Sequence, residues 1–213
     1  ARRKSGVAKM KFTILTLFPK IFDSYLSESI LKRARENKKI FIETVDVRKF
    51  TRDKHHTADD KPYGGGAGMV LLAEPILKAV ENIKSKVKNN KRKIVVFSAK
   101  GKQFNQKTAY DWAKKYDELI FIAGRYEGID ERVVKALGAE EISIGQYVLT
   151  DGDVAAMGVM SAVARLVPGV IRLESLEEES HWNLIIKQEA RGTLGAHGLE
   201  YPHYTRPEVL KYK

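Results

Sequence analysis

A run of carboxylates, Glu174-Ser175-Leu176-Glu177-Glu178-Glu179, stands in a chain that is otherwise basic, with 38 Lys and Arg against 27 Asp and Glu. Acidic runs are usually solvated faces. In a protein of net charge +11, a surface built for a polyanion has no electrostatic reason to carry four carboxylates, and one of them is a candidate general base. Arg165 lies upstream, just before Pro168-Gly169. It reads either as a cation complementing a helix C-terminus or as one held beside a ligand loop, where it stabilises developing negative charge.

Two glycine-bounded loops supply the ligand site. Gly124-Arg125-Tyr126-Glu127-Gly128 follows the apolar run Leu119–Ala123, and Gly145 to Gly152 follows the apolar run Ile142–Ile144. Backbone without a Cβ lets a ligand come close and admits positive φ. Loops at successive strand ends are where an open α/β sheet holds its ligand. A third strand-end loop, Ser98-Ala99-Lys100-Gly101, follows the strand Ile94–Phe97. The richest glycine stretch, Gly64-Gly65-Gly66-Ala67-Gly68, is a weaker candidate. Met69 and Val70 stand where a phosphate-binding motif needs Lys and Ser/Thr, and the stretch follows a polar loop rather than a strand. His55-His56 lacks a further His or Cys at ligand spacing, so no metal site is expected.

The elements that must position these loops follow from periodicity. Met10–Phe18 and Ile40–Val47 read as strands, and Ile21–Asn37 between them as one amphipathic helix. Residues 48–68 read as a long functional loop. Helices are predicted over Glu74–Val87 and Thr108–Lys115, after Gly128, and over Asp153–Leu166. The alternation implies an α/β fold, a mostly parallel sheet with helices on both faces. With 213 residues, 43% hydrophobic and 31% charged, the chain can bury a real core. There are no cysteines, which excludes disulfides, thiolate metal sites and cysteine nucleophiles. No apolar run reaches the length of a membrane span, and the basic start leads into a strand rather than a signal-peptide core, so the chain reads as cytoplasmic. The charge surplus points to nucleic acid. Around the glycine-rich stretch, Arg52, Lys54 and Tyr63 are placed to grip phosphate or stack on a base, and Arg206 lies in an aromatic, basic C-terminal stretch.

Four motifs, PYGGGAGM (62–69), GRYEGIDER (124–132), SIGQYVLTDGD followed by AVAR (143–165) and YPHYTRPEVL (201–210), occur in this order. Together they resemble the bacterial tRNA (guanine-N1)-methyltransferases, of the SPOUT class, over essentially Met10 to Leu210. The resemblance implies a parallel α/β sheet with a deep C-terminal trefoil knot, an obligate homodimer, S-adenosylmethionine as methyl donor and tRNA as substrate, with no membrane or DNA partner. By position, Ser98, Gly124, Tyr126, Glu127 and Gly128 correspond to one wall of the cofactor pocket. Ile144, Gly145, Gln146, Tyr147, Val148, Leu149 and Gly152 correspond to the other, with backbone hydrogen bonds to adenine. Arg165 matches the family's essential arginine, and Glu179 falls on its catalytic aspartate. Arg52, Lys54, Tyr63 and Arg206 become the RNA-contacting candidates.

The implied division is a catalytic domain over 1–169, an acidic linker carrying the base over 170–180, and the start of a tRNA-binding region over 181–213, where the family continues into a helical domain. The implied chemistry is coherent: a carboxylate takes the proton from guanine N1, and an arginine stabilises the charge growing on O6. The sequence departs from the family pattern in having Glu at 179, with Glu177 and Glu178 beside it, and Asp151 where the family has glycine. A SPOUT enzyme acting on another RNA and a non-catalytic RNA-binding protein are the alternative readings of this scaffold.

Overall fold

The computed structural model describes residues 10–86, 91–172, 175, 204–206 and 209. The chain divides into two compact units, Ala1–Ile171 and Arg172–Lys213. In the first, a five-stranded sheet holds β1 (Met10–Thr16), β2 (Ile40–Asp46), β5 (Arg92–Gln103), β6 (Glu118–Ile122) and β7 (Glu140–Ser143). The strand order is β2-β1-β6-β5-β7, with every pairing parallel. A short antiparallel pair, β3 (Asp59–Asp60) with β4 (Val70–Leu71), stands apart from it. The expected mostly parallel α/β architecture is the one observed.

The central strand β6, Glu-Leu-Ile-Phe-Ile, is buried at every position, as a parallel strand covered on both faces must be. Its alternate residues enter two separate cores. Leu119 and Phe121 join Phe12, Ile14, Val95 and Phe97 on one face. Ile120 and Ile122 join Leu15, Ile94 and Val96 on the other. Phe121 packs between Phe12 and Phe97, with ring centroids 6.0 and 5.2 Å away. The first face is closed by α2 (Ser29–Glu36), α4 (Gln106–Lys115), which buries Trp112, and α6 (Gly152–Ala164). The second is closed by α3 (Ala73–Lys86) and α5 (Glu131–Leu137). Small residues along α6 let it lie against β1, β5, β6 and α4. Among the described residues, no helix is long and apolar enough to cross a membrane.

Three local expectations are corrected. The first helical segment is not continuous: a 3-10 turn (Pro19–Phe22) runs into α1 (Asp23–Leu26), and α2 begins afresh after Ser27-Glu28, with Ser29 at φ +53°. The carbonyl of Leu26, freed at the break, accepts from Arg35 Nη1 at 2.9 Å. Periodicity survives such a break, so the sequence does not reveal it. The stretch 48–68 is loop for most of its length but not throughout, since it opens in a 3-10 turn (Val47–Phe50) and holds β3. Asp46 caps a 3-10 turn through Arg48 N, and the Asp53 carboxylate gathers His55 N, Thr57 N and Thr57 Oγ1. Hydrogen bonding to Thr57 holds the Asp53 carboxyl below its ordinary range.

The third correction concerns Ser98. β5 does not end at Phe97; it continues to Gln103 through a bulge, so that Phe97 and Lys102 both pair with Ile142 of β7. A Cβ on Gly101 would stand 2.5 Å from the Ile142 amide nitrogen. The strand therefore crosses β7 at a residue with no side chain, and Ser98 sits in a bulge rather than in a terminal loop.

At the other end of the sheet, Glu118 is 3% exposed. Arg92 Nε donates to it at 2.6 Å, Thr13 Oγ1 donates at 3.3 Å, and Lys11 Nζ stands 3.4 Å away. An Arg92→Met substitution takes the nearest cation from this buried carboxylate and should cost about 3 kcal/mol of stability, measured by urea denaturation.

Candidate functional site

The loops leaving the carboxyl ends of β6 and β7, together with the bulge inside β5, enclose a cavity of about 510 Å³. The first wall is the loop after β6. The Gly128 amide closes a turn on the Arg125 carbonyl at 3.0 Å. The loop is fastened to the segment ending in β4: Glu127 N donates to Met69 O, Leu71 N to Gly128 O, and Asp130 N to Leu71 O, each at 3.0 Å. The glycine-rich stretch 64–68 thus leads directly into a strand that buttresses this wall.

The second wall is the loop after β7. Ser143 Oγ donates to the Gly145 carbonyl at 2.8 Å, and the Tyr147 hydroxyl donates to the Ile144 carbonyl at 3.3 Å. This folds the Tyr147 ring into the space that a side chain on Gly145 would need. The loop ends at Asp151, the N-cap of α6, whose carboxylate accepts from Asp153 N at 2.9 Å and Val154 N at 3.1 Å. That cap satisfies two of the orphan amides of the helix.

The two walls meet directly. Gly152 N donates to Gly124 O at 2.8 Å, and Arg125 and Asp151 form an isolated bridge. A Cβ on Gly152 would lie 2.7 Å from Gly124 N and 3.0 Å from Ala123 Cα. The bulge in β5 forms the third side, where Lys100 Nζ bridges Glu131 at 2.5 Å and Glu141 at 3.3 Å. The hydrogen bond to Glu131, with Glu141 behind it, raises the Lys100 pKa, and the same hydrogen bond lowers that of Glu131.

Of the cofactor residues expected from sequence, Ser98, Gly124, Tyr126, Glu127, Gly128, Ile144, Tyr147, Val148, Leu149 and Gly152 line this one cavity. Gly145 and Gln146 do not. Gly145 lies under Tyr147, and Gln146 faces solvent. Arg52, Lys54 and Tyr63 are exposed on the segment between β2 and β4, with Arg52 Nη2 paired to Glu74 at 2.9 Å. Arg206, in the second unit, is exposed. Glu179 lies outside the described residues.

The expectation that Arg165 stands beside the second glycine loop is not met within one chain. Arg165 is the C-cap of α6, whereas Gly152 is its first residue. Thirteen residues of helix separate the two by about 20 Å, and Arg165 is absent from the cavity lining.

Sequence reasoning missed Arg125, Asp151 and Asp153 as a group. Arg125 Nη2 stands 3.6 Å from both Asp151 Oδ2 and Asp153 Oδ2. The legible signal was Asp151 itself, since Asp before a helical Gly-Asp is an N-cap pattern. Asp151, which stands where the resemblance noted from sequence implies glycine, thus has a structural role. Asp153 is 1% exposed, and burial pushes its carboxyl above the usual range. Asp151 adds to that shift, while Thr16 and Arg125 oppose it.

A second depression, of about 730 Å³, runs along the edge strand β2 between Lys11, Lys32 and Phe41. It contains none of the strand-end loops.

A family model described as tRNA (Guanine-1)-methyltransferase TrmD matches residues 10–213 of this chain. A tRNA (guanine-N(1)-)-methyltransferase of Carboxydothermus hydrogenoformans is 53% identical over 203 residues, covering 95% of this chain and 73% of its own length. One of Chloroflexus aggregans is 50% identical over 200 residues, covering 94% and 72%. The crystal structure of the tRNA (m1G37) methyltransferase from Aquifex aeolicus is similar with a TM-score of 0.72 at 33% identity, over 93% of this chain and 77% of that one.

Two outcomes follow from the meeting of the walls. Gly152→Ala drives a methyl group into the Gly124 backbone and should lower stability by about 1–3 kcal/mol, read by thermal melting. The folded chain holds a proton on Asp153 more tightly than the unfolded chain does. This group's contribution to stability is therefore present at acid pH and lost as pH rises through the carboxylate range. The melting temperature of Asp153→Asn, relative to the parent, should accordingly climb between about pH 4 and about pH 7.

Proposed function

Because the chain belongs to the tRNA (guanine-1)-methyltransferase family, we propose that it methylates N1 of the guanine immediately 3′ of the anticodon, position 37 of tRNA, using S-adenosylmethionine. The observation that carries this reading is the cavity at the strand ends, bounded by two glycine loops in direct backbone contact. Its shape and charge fit that cofactor. The volume is in the range of small-molecule sites, and apolar surface from Val134, Ile142 and Leu149 alternates with backbone polar groups of residues 144 and 147–149 suited to adenine. The charged residues on the wall are Glu127, Glu131, Glu141 and Asp151 against Lys100 and Arg125. Four carboxylates facing two cations favour a ligand bearing a sulfonium and an ammonium.

When bound, the cofactor supplies an electrophilic methyl group. The chain's own residues do the rest. Guanine N1 carries a proton, and the Glu179 carboxylate takes it, freeing the lone pair for attack. Arg165 stabilises the negative charge that develops on O6. The residues of the two walls would hold the methyl donor, and positioning the two substrates together would supply much of the remaining acceleration.

The position of Arg165 supports an obligate homodimer. An arginine about 20 Å along α6 from its own cavity reaches a base at such a cavity only in a second copy. Exposed apolar side chains after β1 (Phe18, Ile21, Tyr25) and on the first turn of α6 (Val154) offer surface for that copy. The return of the chain from the edge strand β7 to contact the loop after β6 is the path that a trefoil knot of this class takes. Arg52, Lys54, Tyr63 and Arg206 are exposed and suited to contact tRNA. We place the enzyme in the cytoplasm with its substrate.

Calorimetric titration with S-adenosylmethionine tests the cofactor, and absence of binding would sink the enzyme reading. Methyl transfer to tRNA transcripts with guanine or adenine at position 37 tests the substrate, with transfer expected only to the first. Glu179→Gln and Arg165→Ala should each lose about a hundredfold or more in methyl transfer while keeping cofactor affinity. Full activity in Glu179→Gln would move the base to Glu177 or Glu178.

A further inference from the structure

Arg125 joins three segments that the chain order keeps far apart. It belongs to the first wall and lines the cavity. Its guanidinium carbon lies 4.4 Å over the ring of Phe18, just past the end of β1. Nη2 faces Asp151 and Asp153 at the start of α6, at 3.6 Å from each. Those two aspartates flank Gly152, the residue that touches Gly124. One side chain therefore spans the seam at which the two walls meet.

The contact is incomplete in a specific way. A separation of 3.6 Å is a charge contact and not a hydrogen bond. Arg125 Nε and Asp153 Oδ1 are both buried and have no hydrogen-bond partner among the described residues. Buried polar atoms rarely remain so, because leaving each unmet costs free energy. Here the surplus donor and the surplus acceptor belong to two residues that already face one another. A shift of less than about 1 Å brings a guanidinium and a carboxylate from this separation to paired, fork-like hydrogen bonds. Asp151 does not need Arg125, since it is occupied in capping α6. Among the described residues, Asp153 otherwise meets the Thr16 hydroxyl, and it lies off the cavity wall. Its carboxylate is thus available to Arg125 and not to a ligand.

We propose that Arg125 is a positioning residue for the methyl donor: its engagement with Asp153 sets the gap between the two cavity walls, and ligand binding completes that engagement. This rests on the cavity being the cofactor site. A ligand touching both walls draws the first loop toward α6, which closes the fork on Asp153. Conversely, a chain lacking either partner holds the walls too loosely to grip the ligand. The ring face of Phe18 attracts the guanidinium above it and helps to keep it at the seam.

The test is calorimetric titration of the whole chain with S-adenosylhomocysteine. Arg125→Gln and Asp153→Asn should each weaken binding about tenfold, and the double variant should be no weaker than either single one, since both break the same contact. In steady-state assays, KM for the methyl donor should rise while KM for tRNA holds. Arg125→Lys, which keeps the charge without the fork, should recover only part of the affinity. Asp153→Asn separates positioning from folding, because it is expected to gain stability at neutral pH while losing affinity. Should Arg125→Gln fail to fold, Asp153→Asn and Arg125→Lys carry the comparison. Unchanged affinity in folded Asp153→Asn, or fully additive losses in the double variant, would overturn the proposal. A parent chain that fails to bind S-adenosylhomocysteine would instead overturn the cofactor assignment on which it rests.

Discussion

The amide of Gly152 and the carbonyl of Gly124 meet at 2.8 Å, and the geometry around them shows why the cavity exists. β7 lies at the edge of the sheet with β5 between it and β6, so a chain leaving β7 must travel back over β5 to reach the loop after β6. The second loop is that return path, and the cavity is the space it encloses. Backbone can come this close only where no Cβ intervenes. The opening of α6 is fixed by the same contact, so the direction of that helix, and with it the location of Arg165, follows from a single approach of two glycines.

Much of this was legible in the sequence, for identifiable reasons. Strands buried on both faces are continuous apolar runs, so β1 and β6 could be read to within a residue or two. The family resemblance, placed by position on the segments after such runs, gave ten of the residues that line the cavity. The missed features share a different cause: they depend on tertiary partners rather than on local pattern. The bulge that carries Ser98 exists because β5 must cross the backbone of β7 at Gly101. The break before Ser29 is tolerated because Arg35 satisfies the carbonyl it exposes. Arg165 looked adjacent to the second loop because thirteen residues is a short stretch of sequence, although in a helix it is a long distance. Asp153, the first residue of the predicted helix, is buried because α6 is pressed against β1.

Charge is divided between the cavity and the rest of the molecule. The protein carries +11 overall, yet the cavity wall presents more carboxylates than cations. Surplus positive charge lies instead on exposed segments such as α2, with Lys32, Arg33 and Arg35, and the turn carrying Arg52 and Lys54. The arrangement suits two partners of opposite sign: a small cationic cofactor held in a negative cavity, and a polyanion drawn to the positive exterior. Buried ionic groups such as Glu118 with Arg92 lie at the opposite end of the strands and serve the fold alone.

The insertion of β6 between β1 and β5 also has a consequence in time. Residues 11–15 of β1 pair with residues 118–122, so about a hundred residues must leave the ribosome before β1 acquires its inner neighbour. At synthesis rates of roughly 5–20 residues per second, this leaves an apolar strand edge open for several seconds. Only β2, pairing early on the other side, covers part of it. Long-range parallel pairing of this kind is slow to form. Both walls of the cavity come later in the chain than β6, so the nascent protein can pair β1, β2, β5 and β6 first and gains a place for its ligand only after β7 and the second loop follow.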